Sequence, residues 1–183
     1  MSERERMIAG EAYDPRDPGL ASARARIQSV VRRYNELDDG DQDERDALLR
    51  GALGRIGERV VLQSGLRFEY GFTIELGDDV FMNYGCVLLD VCPIRIGSRV
   101  LFGPNVQLLT PTHPLDPVER SSGRESGRPI TVGDDVWLGG GVIVNPGVTI
   151  GSGTTVGAGS VVPKDLPERV FAAGVPARVV REL

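Results

Sequence analysis

His113 is the only histidine in the 183-residue chain, and so the only side chain whose ordinary titration lies near neutral pH. It stands in residues 110–128, which read Thr-Pro-Thr-His-Pro-Leu-Asp-Pro followed by a tip rich in Gly, Ser and Arg. Prolines at 111, 114 and 117 push the residues before them into extended conformations, so the base of the segment is expected to be held and its tip mobile. A lone loop histidine is in general a solvated side chain. A neutral-pH base on a stiffened excursion from a rigid scaffold is instead a candidate general base. Cys86 and Cys92, the two cysteines, form no disulfide framework or ligand cluster, and neither reads as a nucleophile. One histidine per chain is too few for a three-histidine zinc site, so no metal is expected.

The scaffold is legible in residues 132–162, where an aliphatic side chain returns at every sixth position: Val132, Leu138, Val144, Ile150, Val156 and Val162. The residue after each is small or polar, and the fifth place of each hexad holds Val136, Val142, Val148, Thr154 or Ser160. Such a period excludes an ordinary helix or hairpin and is the signature of a parallel β-helix, in which the aliphatic residue fills the axis and glycine lets the chain turn. The frame extends upstream through Leu76, Met82 and Leu88 and, after a two-residue slip at 90–93, through Ile96, Phe102 and Leu108. Three hexads make a triangular coil of roughly eighteen residues. The prism is therefore expected to hold about four coils at roughly 4.8 Å spacing. Handedness is not contained in the spacing. The segment 110–128 is the one long break in the repeat.

The remaining sequence bounds the class. A chain of this length with 40% hydrophobic residues suits one domain with a core. No membrane span or secretory leader is legible, so the expected location is the cytoplasm. The net charge of −5, with both signs interspersed, argues against nucleic acid as a partner, which would need a basic face. Residues 1–58 read as a helical cap. Asp17 before Pro18 resembles an N-cap, leading into Leu20, Ile27, Val30, Val31, Tyr34 and Leu37 at helical spacing. Asp41 with Glu44 has the capping-box pattern ahead of Leu48, Leu49, Ala52, Leu53 and Ile56. Such a cap would seal one end of the repeat. Residues 59–167 are expected to form the β-helix, opening with an irregular coil over 60–73 where Phe68, Tyr70 and Phe72 alternate as in a strand, and 168–183 a tail.

Several motifs carry a family resemblance: Asp90-Val-Cys-Pro-Ile-Arg-Ile-Gly, Thr112-His-Pro, Val136-Trp-Leu-Gly-Gly and Asn145-Pro-Gly-Val-Thr-Ile-Gly. With Met7-Ile-Ala-Gly-Glu and Arg33-Tyr-Asn, they make the chain similar, over essentially its whole length, to the maltose and galactoside O-acetyltransferases of the hexapeptide acyltransferase superfamily. The resemblance implies an all-β, left-handed parallel β-helix with an N-terminal helical cap, assembled as a homotrimer with active sites between neighbouring prisms. It further implies acetyl-CoA as co-substrate and a sugar acceptor such as maltose or glucose. His113 would take the proton of the acceptor hydroxyl, which attacks the thioester directly. The competing classes are a xenobiotic or antibiotic O-acetyltransferase, since loops and cap choose the acceptor, and a non-catalytic β-helix scaffold.

Individual roles follow from the same resemblance. Asn83 matches an asparagine that contacts the acceptor and stabilises the oxyanion, although it reads equally well as a turn residue. Asp17 and Glu69 match acceptor-contacting positions; the N-terminal alignment could shift to Asp14, and galactoside enzymes have serine at the place of Glu69. Asp90 sits beside a family acidic acceptor residue whose own match here is Val91, which favours a maltose-type pocket. For the coenzyme, Gly140 matches a backbone N–H that faces the thioester, where galactoside enzymes carry serine. Ala158, Lys164, Arg178 and Arg181 match coenzyme positions, with Pro163 replacing a common threonine. The plainer reading of these cations is a solvated basic tail, given Asp165, Glu168 and Glu182 nearby. Trp137 should face outward, lining the inter-subunit cleft or burying interface area.

Overall fold

The computed structural model describes residues 1–38 and 40–183. Three helices precede the repeat. In α1 (Glu3–Ala9), Ser2 and Glu5 form a capping box. In α2 (Pro18–Glu36), the Asp17 carboxylate accepts from the Leu20 N–H at 3.1 Å, the cap expected from the sequence. The helix α3 (Gln42–Ala52) starts where expected, but its capping box does not form. The Asp41 carboxylate accepts from the Asp38 amide at 3.2 Å, and Glu44 reaches across to Arg33 of α2 at 2.7 Å. The apolar stripes bury as their spacing requires, with Ile27, Tyr34, Leu49 and Ala52 against the first coil. Arg45 joins them in the interior, its guanidinium donating to the carbonyls of Leu37 (3.1 Å) and Leu62 (2.8 Å) and to the Tyr34 hydroxyl (3.1 Å). A buried cation is tolerated there because cap and coil both supply acceptors.

Beyond Arg55 the chain is the expected left-handed parallel β-helix. Its first face stacks Arg55–Ile56, Ile74–Leu76, Ile94–Ile96, Ile130–Val132 and Thr149–Ile150. The second begins at Val61–Leu62 and runs through Phe81–Met82, Leu101–Phe102, Trp137–Leu138 and Thr155–Val156 to Val170–Gly174. The third stacks Arg67–Phe68, Val87–Leu89, Gln107–Leu109, Ile143–Val144 and Val161–Val162. All these pairings are parallel and in register, so the sixth-position residues form one buried axis, as with Met82, Phe102 and Leu138 on the second face.

Five complete coils and part of a sixth exceed the four expected. The segment 60–73, expected to be irregular, belongs to a regular first coil carrying Ile56, Leu62 and Phe68 in the axial frame. Of its alternating aromatics only Phe68 lies in a strand; Tyr70 and Phe72 belong to the corner that follows. At the far end, Leu166 bridges to Ile150, and the expected tail forms a hairpin, Val170–Gly174 with Ala177–Glu182, that extends the second face.

Every departure from the six-residue period falls at one corner, between the third face and the first. Phe68 to Leu76 and Leu88 to Ile96 each span eight residues, and the excursion 110–128 leaves from the same place one coil later. The two extra residues widen each corner and expose its amides, which side chains from the next coil then satisfy. Thr110 Oγ1 accepts from the Cys92 N–H at 3.1 Å and donates to the Leu89 carbonyl at 2.6 Å. No helix among the described residues is long and apolar enough to cross a membrane.

Candidate functional site

His113 projects from the base of the excursion, which is pinned from both sides. Pro111–Thr112 pairs antiparallel with Ser126–Gly127, and the Thr112 and Ser126 hydroxyls lie 2.7 Å apart. On the outer side the N-terminal segment adds a single antiparallel bridge, Tyr13 and Glu125 exchanging backbone hydrogen bonds at 2.9 and 3.1 Å. The expected mobile tip contains a short helical turn, α4 (Pro117–Arg120), capped by Asp116 through the Val118 and Glu119 amides. Arg120 donates back to the carbonyls of Pro114 and Leu115. The imidazole is exposed, makes no hydrogen bond among the described residues, and borders a cavity of about 340 Å3 shared with Ala12, Glu119, Glu125 and Ser126. Proline stiffening, one paired strand and the Tyr13–Glu125 bridge thus present an unencumbered base.

Beside this cavity lies a cluster that the sequence only partly announced. Arg24 of α2 donates to the Tyr70 hydroxyl and, at 2.7 Å, to the Pro15 carbonyl, and its Nε lies 3.8 Å from Glu69 Oε1. Partial burial raises the Glu69 carboxyl above its ordinary pKa, opposed by Arg24 and reinforced by the charge of Glu125. Tyr13, fully buried, donates its hydroxyl to Glu125 at 2.7 Å. Tyr13, Arg24 and Glu125 escaped the sequence reading because each looks ordinary in its own segment and acquires a partner only across the fold. Asp17 is half-exposed and occupied as the α2 cap, whereas the alternative, Asp14, is tied to Arg16 at 2.9 Å.

Asp90 corrects the expectation of an acceptor contact. Its side chain is 0% exposed, and the carboxylate accepts from the N–H groups of Glu69 (2.8 Å), Tyr70 (2.9 Å) and Gly71 (2.7 Å) and from the Thr73 hydroxyl. Burial pushes its pKa up to about 6 against these four donors, which favour the charged form. Asp90 is the brace of the widened corner, and it positions Glu69 from beneath. Both cysteines are buried, and burial raises each thiol to about 11, which leaves neither poised as a nucleophile.

Asn83, Gly140 and Ala158 occupy a different edge, the corner between the second and third faces. The Asn83 Oδ1 accepts from the Tyr84 N–H at 2.7 Å, a turn-forming bond, while its amide NH2 donates to nothing among the described residues. Successive coils approach so closely here that a Cβ on Gly103 would lie 2.4 Å from the Gly140 nitrogen, and one on Gly139 would lie 2.6 Å from the Ala158 nitrogen. In the fourth and fifth coils the result is a narrow edge of glycine and alanine, 139–141 and 157–159. Trp137, 54% exposed, stands outward on the second face between Leu101 and Thr155. Arg178 and Arg181 lie on the last strand of the hairpin, opposite Ala173 and Phe171. Pro163 and Lys164 are exposed at the third–first corner, the edge from which the His113 excursion leaves. One chain therefore does not unite His113 with Asn83: they stand on two corners of the triangle. Among the described residues no cluster of His, Cys, Asp or Glu is arranged to hold a metal ion.

Comparisons with known proteins bear on the family and the fold. Residues 6–57 match the maltose acetyltransferase hexapeptide capping motif, and residues 129–164 match the six-repeat bacterial transferase hexapeptide. The chain is 36% identical to the galactoside O-acetyltransferase of Escherichia coli, over 98% of this chain and 88% of that protein. The crystal structure of a maltose O-acetyltransferase from Clostridium difficile superposes with a TM-score of 0.99 at 41% identity, covering 100% and 98% of the two chains. A hexapeptide-repeat acetyltransferase of Vibrio cholerae, solved with acetyl coenzyme A, superposes at 0.94 with 39% identity, covering 100% and 99%.

Proposed function

The chain belongs to the maltose and galactoside O-acetyltransferase family of hexapeptide-repeat acyltransferases, and on that premise we propose that it moves the acetyl group of acetyl-CoA to a hydroxyl of a sugar such as maltose or glucose. The observation that carries this reading is His113, the chain's one imidazole, presented unencumbered over a cavity by a hairpin pinned on both sides. His113 removes the proton of the acceptor hydroxyl as its oxygen attacks the thioester carbonyl. The carbon–sulfur bond then breaks, and the departing CoA thiolate takes the proton from the imidazolium. Without such a base a hydroxyl is a weak nucleophile. The uncommitted Asn83 amide is suited to donate to the oxyanion that forms on the carbonyl.

The residues present fit the coenzyme. Gly139, Gly140 and Ala158 leave a bare edge along which a thin pantetheine arm can lie, with the Gly140 N–H toward the thioester. Trp137 flanks that edge and Arg178 and Arg181 extend the same face as cations for the phosphates, while Pro163 and Lys164, on the other corner, reach them from a neighbouring chain. Glu69 and Asp17 are the acceptor-side carboxylates. That His113 and Asn83 occupy separate corners supports a site completed by a neighbouring chain, and the working unit in this reading is a homotrimer. The two buried, unpaired cysteines suit the reducing cytoplasm.

Steady-state release of CoA tests the reading, with maltose, glucose, a galactoside and chloramphenicol as acceptors. A sugar should react, and His113→Ala should lose about a hundredfold or more in kcat. Reaction with chloramphenicol alone would move the substrate class to xenobiotics, and undiminished activity of His113→Ala on sugars would remove His113 from the mechanism.

A further inference from the structure

Along the corner between the second and third faces, two backbone hydrogen bonds repeat from coil to coil. In the first, the N–H after the axial residue donates to the axial carbonyl of the next coil: Gln63 to Met82 at 2.8 Å, Asn83 to Phe102 at 3.0 Å, Gly103 to Leu138 at 2.8 Å and Gly139 to Val156 at 2.8 Å. In the second, the N–H of the positive-φ turn residue donates back to the coil before: Gly85 to Ser64 at 3.1 Å, Asn105 to Tyr84 at 2.8 Å, Gly141 to Pro104 at 2.8 Å and Gly159 to Gly140 at 2.8 Å. No coil precedes the first. The Leu62 carbonyl and the Gly65 N–H therefore lack the partners that the repeat supplies to the coils above them, and such groups must be satisfied otherwise.

The helical cap supplies both. The Leu62 carbonyl accepts from the Tyr34 hydroxyl and, at 2.8 Å, from the guanidinium of the buried Arg45. Asn35 Oδ1 accepts from the Gly65 and Leu66 N–H groups at 2.9 and 3.1 Å, and its Nδ2 donates to the Leu66 carbonyl at 2.9 Å. Three side chains of α2 and α3 thus stand in for a coil before the first. Two of them belong to the Arg33-Tyr-Asn motif, to which the acetyl transfer assigns no task. The turn they hold, 63–65, is the one on which the turn 83–85 rests, so closely that a Cβ on Gly65 would lie 3.1 Å from the Gly85 nitrogen. Asn83 opens that upper turn. Its Oδ1 is tied to the Tyr84 N–H, so the direction of its uncommitted NH2 follows the turn backbone.

We propose that Asn35 is a positioning residue for Asn83, acting through the turn 63–65, with Tyr34 and Arg45 holding the carbonyl that precedes it. This rests on the acetyltransferase reading above, in which the Asn83 amide donates to the oxyanion, and adds that the helical cap sets the aim of that donor. The terminal unit of a repeat is the one that opens most readily. Without Asn35 the turn 63–65 loses three hydrogen bonds at once, the turn above loses its seat, and the Asn83 amide leaves its line to the developing oxyanion. The glycine and alanine edge for the coenzyme lies in the fourth and fifth coils, further along the same corner, and keeps its geometry.

A kinetic double-mutant cycle tests the assignment. Asn35→Ala should lower kcat for sugar acetylation about tenfold at an unchanged KM for acetyl-CoA, and Asn35→Asp, which keeps an oxygen for the two amides, should recover most of the loss. Arg33→Ala, in the same motif but paired with Glu44 on the surface, should leave kcat unchanged. In an Asn83→Ala background the penalty of Asn35→Ala should shrink to within about twofold, because the group it aims is gone. Hydrogen exchange reads the same loosening without turnover: the Gly85 amide should exchange faster in Asn35→Ala, and the Gly141 and Gly159 amides at the wild-type rate. A penalty equal in both backgrounds, or a lower melting temperature with kcat intact, would make Asn35 a cap of the fold alone and overturn the assignment while acetyl transfer stands. A wild type that acetylates no sugar overturns the acetyltransferase reading and this role with it.

Discussion

Three consecutive amides, those of Glu69, Tyr70 and Gly71, converge on the Asp90 carboxylate, which has no exposed surface. Removing the side chain leaves those donors unsatisfied in the interior, each at about 1–3 kcal/mol. Asp90→Ala is therefore expected to be among the most destabilising single changes in the chain, and to weaken acceptor binding through Glu69. Asp90→Asn retains one acceptor oxygen and should cost less. The pH dependence has a definite sign. The folded-state pKa of about 6 exceeds the ordinary value of 3.8, so the folded state holds the proton more tightly than the unfolded chain. The Asp90 contribution is fully present below about pH 4 and falls as pH rises through 6, by about 3 kcal/mol. The stability gap between wild type and Asp90→Asn, followed by thermal unfolding from pH 4 to 7, should narrow; a gap that widens would mean that the amides outweigh burial. The sequence put Asp90 at the slip but could not tell a brace from a ligand contact, because the three amides it serves lie one coil away.

At the scale of the element, the hexad frame made the coils readable, since a buried axis demands an apolar residue at each sixth place and a turn residue after it. It failed to mark the first coil, although Ile56, Leu62 and Phe68 keep the frame, because the eight-residue step from Phe68 to Leu76 separates them from the next run. The cap was legible for a different reason, the helical spacing of Ile27, Tyr34 and Leu49. What no local pattern could supply was the docking of residues 12–14 against the excursion, because a bridge between Tyr13 and Glu125 spans 112 residues. Two glycines separate helix from solenoid in their response to substitution. A Cβ on Gly51, in the exposed part of α3, meets nothing within 4 Å. Gly51→Ala should thus raise stability by about 0.5–1 kcal/mol. Gly103→Ala forces two coils apart at 2.4 Å and should lower the melting temperature sharply, weakening acetyl-CoA binding at the same edge.

The whole molecule presents unlike faces. Outward positions of the first face alternate in charge, Arg55, Glu75 and Arg95, before Thr131 and Thr149. The second face carries Val61, Phe81, Leu101 and Trp137 in register, with Val61, Leu101 and Trp137 between 40% and 54% exposed. An apolar row of this kind on a chain with a net charge of −5 is suited to meet another copy. Leu101→Glu is accordingly expected to lower the mass by light scattering from about three times 19.7 kDa toward a single chain, and to abolish turnover with it. Oligomeric state is the feature least visible in the sequence, where the period requires a prism but says nothing of its neighbours.

The most direct test of a site shared between chains is subunit complementation. His113→Ala and Asn83→Ala are each expected to lose about a hundredfold or more in kcat when assembled alone. Co-refolded in equal amounts, they should regain a substantial fraction of wild-type sugar acetylation, because some interfaces then pair an intact His113 with an intact Asn83 from the neighbour. Activity that stays at the level of the separate variants, in mixed oligomers verified by mass, would contradict a site built between two chains.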